Sequence, residues 1–417
     1  MILYSLTSSL HTECAEDVLA EPFIVGLQKA LGLTFTCRTD DYSQYGTSDE
    51  TELIYVRTGG TEGIFKKIFC GSGKPVIPGG RKVRLLTSGL SNSLAASMEI
   101  LSFLRQNDID GEILHGSAEQ IASRLKGEAA PATSGKCGWS IRKAGRSRIL
   151  EGMRLGVIGH PSDWLISSDV DYAAARERLG VELIDIPMKE LTDAIAAGNC
   201  AIPSSLKPLN VPKYGKPITD ADMQKSADVY GAVKTLIGRY ELDGITLRCF
   251  DLLTSVGSTG CMALALLNSE GFVATCEGDI PAMLSMAIAR KVAGESGFQV
   301  NLSRISGDSL LFAHCTVPLD MVRDYVYDTH FESGIGVAVH GEFTPGEFTV
   351  FKMGSSLDEF IAEDVTLESN CYADSLCRTQ VLVKAPGLGS YFLTSPLGNH
   401  HILLRGHLAG KLEEKLG

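Results

Sequence analysis

The densest set of reactive side chains lies in Thr275-Cys-Glu277-Gly-Asp279-Ile-Pro281, where the apolar run Gly271-Phe-Val-Ala-Thr-Cys276 ends in two carboxylates and a helical pattern begins at once. Asp279 is placed to cap that helix, and Pro281 suits its first turn, where no backbone donor is needed. Glu277 has no such structural duty. Ligands of open α/β sheets collect at the carboxyl ends of the strands, so Glu277 is a candidate acid–base group and metal ligand, with Asp279 beside it as a second candidate carboxylate. The competing reading leaves Glu277 solvated in a loop and Asp279 as a cap alone.

Asn301 follows Gly-Phe-Gln-Val, His314 lies in Phe-Ala-His-Cys-Thr-Val-Pro, and His400 and His401 adjoin in Leu-Gly-Asn-His-His-Ile-Leu. Carboxylate, imidazole and amide oxygen together suit Mn²⁺ or another divalent cation if the fold gathers them. Neighbouring strand residues point to opposite faces, so at most one of His400 and His401 readily faces a common site. His115, His160, His330, His340 and His407 read as structural histidines. Arg248 ends the strand pattern Gly244-Ile-Thr-Leu-Arg-Cys249, where its guanidinium is placed either to fix a hydroxyl or anionic group of a substrate or to form an ion pair at the sheet edge.

The elements that must position these groups alternate between strand and helix patterns. From Arg81 to Leu114 the order is strand, polar turn, helix, turn and strand, a βαβ unit in which Ser91, Asn92 and Ser93 offer oxygens to cap the helix and Gly111 marks the return. A parallel, doubly wound sheet follows. Residues 126–153 turn basic and rich in Ala, Pro, Ser and Gly, which places a domain boundary there. The alternation resumes with strands at 154–159, 181–186, 244–249 and 271–276 and helices after Asp169 or Asp171, around 223–240 and around 260–267. Beyond residue 300 the helical period fades; 334–343 and 348–352 predict a β-hairpin, and 380–384 and 401–404 add strands. The expected fold is therefore α/β: an N-terminal α/β domain (1–145), a second α/β domain carrying Glu277 (146–300), and a β-rich C-terminal barrel or sandwich (301–417).

The 417 residues are 44% hydrophobic, enough for a large core, and carry a formal net charge of -12, which opposes broad contact with nucleic-acid phosphates or anionic lipid. No apolar run approaches the roughly 20 residues a bilayer span needs. Met1-Ile-Leu-Tyr-Ser-Leu has no basic start and does not read as a signal peptide, so a cytoplasmic protein is expected. Eleven cysteines, with no Cys-x-x-Cys pair, read as reduced thiols; Cys249, Cys261 and Cys276 sit in apolar stretches as small hydrophobes.

In combination, Ser91-Asn-Ser-Leu-Ala-Ala, Gly159-His-Pro-Ser-Asp-Trp164, Cys276-Glu-Gly-Asp-Ile-Pro281, His314-Cys and Gly398-Asn-His400 resemble the L-fucose isomerase and L-arabinose isomerase superfamily, in its shorter fucose isomerase-like form. The resemblance implies two Rossmann-like doubly wound domains followed by a β-rich domain, in agreement with the periodicity. It implies a Mn²⁺-dependent aldose–ketose isomerase working through an enediol, with a sugar as substrate and a trimer or hexamer as assembly. Glu277 then matches the metal-binding acid–base glutamate, and His400, or His401 if the register slips, the C-terminal metal histidine. Asn301 stands where the superfamily carries an aspartate or glutamate; it can complete the metal shell through its carbonyl oxygen but cannot accept a proton. That departure leaves open Asp279 or a metal-bound water as substitute, an epimerase, or a non-catalytic sugar-binding or regulatory paralogue. His314 is expected near the substrate, Trp164 against a sugar's apolar face or in the core, and Trp139 in a flap over a neighbouring subunit's site.

Overall fold

A computed structural model describes residues 1–8, 17–39, 41–70, 81–127, 138–198, 200–213 and 216–417. The chain opens with β1 (Ile2–Leu6), α1 (Pro22–Leu31), β2 (Thr36–Arg38), β3 (Glu52–Val56), α2 (Glu62–Cys70), β4 (Val83–Thr87), α3 (Ser93–Gln106), β5 (Gly111–Leu114) and α4 (Ala118–Leu125). The strands form one parallel sheet in the order β2-β1-β3-β4-β5. Every residue of β1 and β3 is buried, as expected of parallel strands covered on both faces. The expected side-chain cap of α3 is not made. Ser91 and Asn92 adopt left-handed backbone (φ 48° and 59°), and the Asn92 amide is turned away to donate to Glu332 Oε1 at 2.7 Å. Ser93 instead meets Thr87, Oγ to Oγ1, at 2.5 Å.

After the short β6 (Arg142–Lys143) come β7 (Arg154–Ile158), α5 (Tyr172–Leu179), β8 (Glu182–Ile186), α6 (Met188–Ala196), α7 (Asp220–Tyr240), β9 (Gly244–Leu247), α8 (Asp251–Ser255), α9 (Cys261–Ser269), β10 (Val273–Cys276) and α10 (Ile280–Ala293). Their second parallel sheet has the order β10-β9-β7-β8. Asp171 caps α5 through the amides of Ala173 and Ala174, and Gly180 ends it at φ 79°, where a residue without Cβ carries no left-handed penalty.

The remaining strands are antiparallel: β11 (Phe298–Ser306), β12 (Ser309–His314), β13 (Asp324–Asp328), β14 (Ala338–Glu342), β15 (Gly346–Met353), β16 (Glu359–Asn370), β17 (Thr379–Lys384) and β18 (His401–Arg405). Pairing in the order β15-β18-β11-β12-β17-β16 is closed by β15 against β16, giving a barrel, and β6 extends the sheet beside β16. Closure removes the exposed edges that an open antiparallel sheet would leave. Helices α11 (Gly389–Thr394) and α12 (Ala409–Leu416) complete the chain. The hairpin expected from 334–352 is absent: β14 pairs with β13, whereas β15 pairs with β16 and β18. Alternating apolar residues mark a strand but do not name its partner.

The three regions share their cores. Leu94, Met98 and Leu101 of α3 belong to one apolar cluster with Phe298, Phe312 and Leu403 of the barrel. Met283 and Ala287 of α10 join Phe351, Phe360 and Ile402 in another. Cys249, Cys261 and Cys276 are buried free thiols. No helix among the described residues is long and apolar enough to cross a membrane.

Candidate active site

The loop from β10 to α10 is built to present Glu277. Glu277 and Gly278 both adopt left-handed backbone, at φ 66° and 70°. For a glutamate this conformation costs about 1–2 kcal/mol, a strain that folded proteins retain chiefly where geometry matters. Three backbone bonds hold the turn: Gly278 N to Leu247 O (3.1 Å), Asp279 N to Cys276 O (3.3 Å) and Ser162 N to Glu277 O (3.0 Å). Only glycine fits at 278, because a Cβ there would lie 2.4 Å from the His160 carbonyl oxygen. Asp279 then caps α10, its Oδ1 accepting from Ala282 N at 2.7 Å.

Glu277, His314 and His400 converge, each offering a ligand atom within 4.8 Å of the others. The ring of His400 reaches Asp279 Oδ2 through Nδ1 at 2.8 Å and stands 3.5 Å from Glu277 Oε1 through Nε2. A carboxylate on Nδ1 fixes the tautomer that leaves Nε2 free to bind a metal. His314 Nδ1 meets Thr316 Oγ1 at 2.9 Å, and its ring lies 5.5 Å from that of His400. Trp164 donates its indole N–H to Glu277 Oε2 at 2.6 Å. Asn301 Oδ1 is buried with no hydrogen-bond partner, and His400 Nε2 is buried with only the 3.5 Å contact to Glu277. An imidazole nitrogen turned on a carboxylate, a second imidazole and an unpartnered amide oxygen fit a divalent cation in chemical type.

The electrostatics follow from these contacts. Burial opposes charge on His400, but Glu277 and Asp279 prevail and raise its pKa to about 10. Burial would raise Glu277, yet the charges of His400 and His314 and the bonds from His400 and Trp164 hold it below the usual range. Burial likewise raises Asp279, and the Lys352 charge with His400 outweighs it, bringing Asp279 to about 2. His314 is lowered to about 3 by burial and by His400, so it is a neutral ligand at neutral pH. Behind the cluster, Glu99 of α3 accepts from Ser167 N (2.7 Å), Ser168 Oγ (3.0 Å) and Asn399 N (3.0 Å), tying the first α/β region to the loop that carries His400.

Glu277 also forms part of a cavity wall with Gly59, Gly60, Glu62, Asn92, Ala95 and Ala96 of the first α/β region, Trp164 and Phe250 of the second, and Asn301, Glu332 and Asn399 of the C-terminal region. The cavity is small, about 30 Å³, and opens to solvent. Trp164 and Phe250 pack edge to face at 4.9 Å, giving it an apolar side.

The residues singled out in the sequence are distributed as follows. Glu277, His314 and His400 come together, with Trp164 bonded to Glu277; Asn301 lines the cavity with Glu277 and Trp164, whereas the two histidines are not part of its wall. Asp279 stands behind His400, fully buried, rather than on the cavity wall. Arg248 is bound by Asp163, Asp251 and the Pro161 carbonyl and does not line the cavity. His401 turns away to Tyr391 OH (2.9 Å) and the Asn399 carbonyl (2.8 Å). Trp139, expected in a flap, is docked on the chain's own α11 region, donating to Ser390 Oγ at 2.6 Å. Sequence reasoning missed Glu62, Phe250 and Glu332, and it gave no site role to Asn92, expected to cap α3, or to Asn399, which entered only within Gly398-Asn-His400.

No protein-family model matches the chain. It is similar to the sulfoquinovose isomerases of Priestia aryabhattai and Priestia megaterium, at 23% identity over 222 residues, covering 51% of this chain and 50% of each relative. The chain thus spans about half the length of the curated relatives it matches.

Proposed function

We propose that the chain is a Mn²⁺-dependent aldose–ketose isomerase acting on an uncharged sugar through an enediol. The observation that carries this reading is the convergence of Glu277, His314 and His400 beside a polar cavity, with His400 Nε2 turned on the Glu277 carboxylate at 3.5 Å. The similarity to proteins named as sugar isomerases supports the reaction class. The two parallel sheets are read as Rossmann-like, and the assembly as a cytoplasmic homo-oligomer, a trimer or hexamer.

Bound by Glu277, His314, His400 and the Asn301 carbonyl oxygen, a divalent cation would lower the cost of negative charge developing on the sugar's O1 and O2. Glu277 removes the carbon-bound proton, its carboxylate kept ionised by its imidazole neighbours and aimed by the Trp164 indole. Asp279 holds the His400 ring in its ligating tautomer. The amides of Asn92, Asn301 and Asn399 face hydroxyl groups, and Trp164 with Phe250 faces the C–H side of the sugar ring. Among the described residues the cavity lining includes three carboxyl side chains and no Lys or Arg, which favours a neutral polyol over a sulfonate or phosphate ester.

The experiment is incubation of the Mn²⁺-loaded protein with neutral aldoses in deuterated water, read by NMR. Deuterium is expected at C1 or C2 with ketose formation, and both are lost in Glu277→Gln. Tight sugar binding without exchange in the wild type would replace the reading with a non-catalytic sugar-binding protein.

A further inference from the structure

Aldose–ketose conversion moves two hydrogens, one from C2 to C1 and one from O2 to O1, so it needs proton traffic at carbon and at oxygen. Glu277 is committed to the first. Asn301 cannot serve the second, because an amide oxygen holds no transferable proton. Asp279 cannot reach it, since both carboxylate oxygens are already engaged, by Ala282 N and by His400 Nδ1.

A further carboxyl group, from the C-terminal region, lines the same cavity. Glu332 lies in the ordered turn that follows β13, where His330 N bonds to Ile335 O (3.1 Å), Gly334 N to His330 O (2.9 Å) and His330 Nδ1 meets Ser333 Oγ (3.0 Å). Its Oε1 accepts from Asn92 Nδ2 at 2.7 Å, which orients the group, and its side chain is half-buried at the cavity wall.

We propose that Glu332 is the second acid–base group of this cavity, serving the sugar oxygens while Glu277 serves the carbons. The inference rests on the isomerase reading above. In the aldose-to-ketose direction Glu277 takes the C2 proton; the C–H electron pair becomes the C1=C2 bond and the carbonyl pair moves onto O1. Protonated Glu332 gives its proton to O1, leaving an enediol and a Glu332 carboxylate. That carboxylate accepts the O2 proton as C2=O2 forms, and the C1=C2 pair takes the proton back from Glu277 at C1. Both carboxyl groups return to their starting states.

The surroundings of Glu332 suit a group that both gives and takes a proton. Burial and then the Glu277 charge raise its pKa to about 7, with Cys315 adding to the rise and the Asn92 bond restraining it. Glu62, the third carboxyl on the cavity wall, is raised well above the usual range by burial, with the charges of Glu99, Glu277 and Glu332 acting in the same direction.

The test compares wild type, Glu332→Gln, Glu332→Asp and Asn92→Ala, each loaded with Mn²⁺, by pH-dependent turnover and by infrared difference spectra between pH 5.5 and 8.5. Glu332→Gln is expected to lose about 10²- to 10⁴-fold in kcat and the carboxyl band that titrates near neutral pH, with partial recovery in Glu332→Asp. Asn92→Ala removes a bond that favours the ionised form, so the pH limb and the infrared titration both move to higher pH. Wild-type kcat and pH profile in a folded Glu332→Gln would overturn the role of Glu332 and leave the isomerase reading standing. No isotope exchange by the wild type with any neutral sugar would overturn both.

Discussion

Asp279→Asn separates the two duties of one side chain. Asparagine keeps the shape and still caps α10, because its Oδ1 can accept from Ala282 N as the aspartate does at 2.7 Å. The other position now carries an NH₂ donor facing His400 Nδ1, which in the wild type gives its proton to Oδ2 at 2.8 Å. The imidazole must then accept at Nδ1 and hold its proton at Nε2, the atom required by the metal. Loss of such an orienting partner costs about 10- to 100-fold in metal affinity, or about 1.4–2.7 kcal/mol. A second effect accompanies it, since Asp279 lies in the field of the fully buried Lys352 and its neutralisation leaves that charge less compensated. The stripped variant should therefore also melt below the wild type. Calorimetric titration of chelator-treated protein with MnCl₂ measures the first effect and a thermal melt the second. Wild-type Mn²⁺ affinity in a folded Asp279→Asn would refute the reasoning, because the metal would then be indifferent to the His400 tautomer.

Further outcomes follow from the same geometry. Metal affinity should rise by about tenfold per pH unit from near neutrality until His400 titrates at about 10, because one proton competes with the metal for Nε2; Mn²⁺ titrations at pH 6.5, 7.5 and 8.5 check the slope. In the stripped protein the His400 pKa is raised above its ordinary value of 6.5, so its contribution to stability is complete below that value and is lost as pH rises through about 10; denaturant titrations of wild type and His400→Gln should converge at alkaline pH. Gly278→Ala combines a left-handed backbone with a Cβ 2.4 Å from the His160 carbonyl oxygen, and should cost more than the roughly 1–2 kcal/mol of the backbone conformation alone while weakening Mn²⁺ binding through Glu277. Asn301→Asp converts an unpartnered buried amide oxygen into a charged ligand, so Mn²⁺ should bind more tightly and the stripped protein should melt lower, read by titration and by thermal melts.

Local chemistry made part of this architecture legible in the sequence. The capping role of Asp279, a helix after Asp171 and the strand-to-helix alternation depend on neighbours within a few residues, and they stand in the structure as the sequence predicts. The partner of β14 was not legible, since alternating apolar residues do not say whether the strand pairs back with β13 or forward with β15. Glu332 was hidden for a related reason: on its own it is an acidic residue in a polar turn, and only the 240-residue reach to Asn92 marks it as oriented. Asn92 was misread because the same amide that caps helices elsewhere is here directed to a distant carboxylate. His400 and His401 were separable only in part: alternation across the strand assigns them to opposite sides, but the choice between them needed Asp279 on one ring and Tyr391 on the other.

One cation held by Glu277, His314 and His400 is the centre of the proposed chemistry. Anomalous diffraction from Mn²⁺-soaked crystals, recorded near the manganese edge, places that ion directly. One strong peak per chain among Glu277, His314 and His400, within about 2.0–2.3 Å of a carboxylate oxygen and two imidazole nitrogens, is the predicted result. A peak elsewhere, or none between these side chains at saturating Mn²⁺, would contradict it.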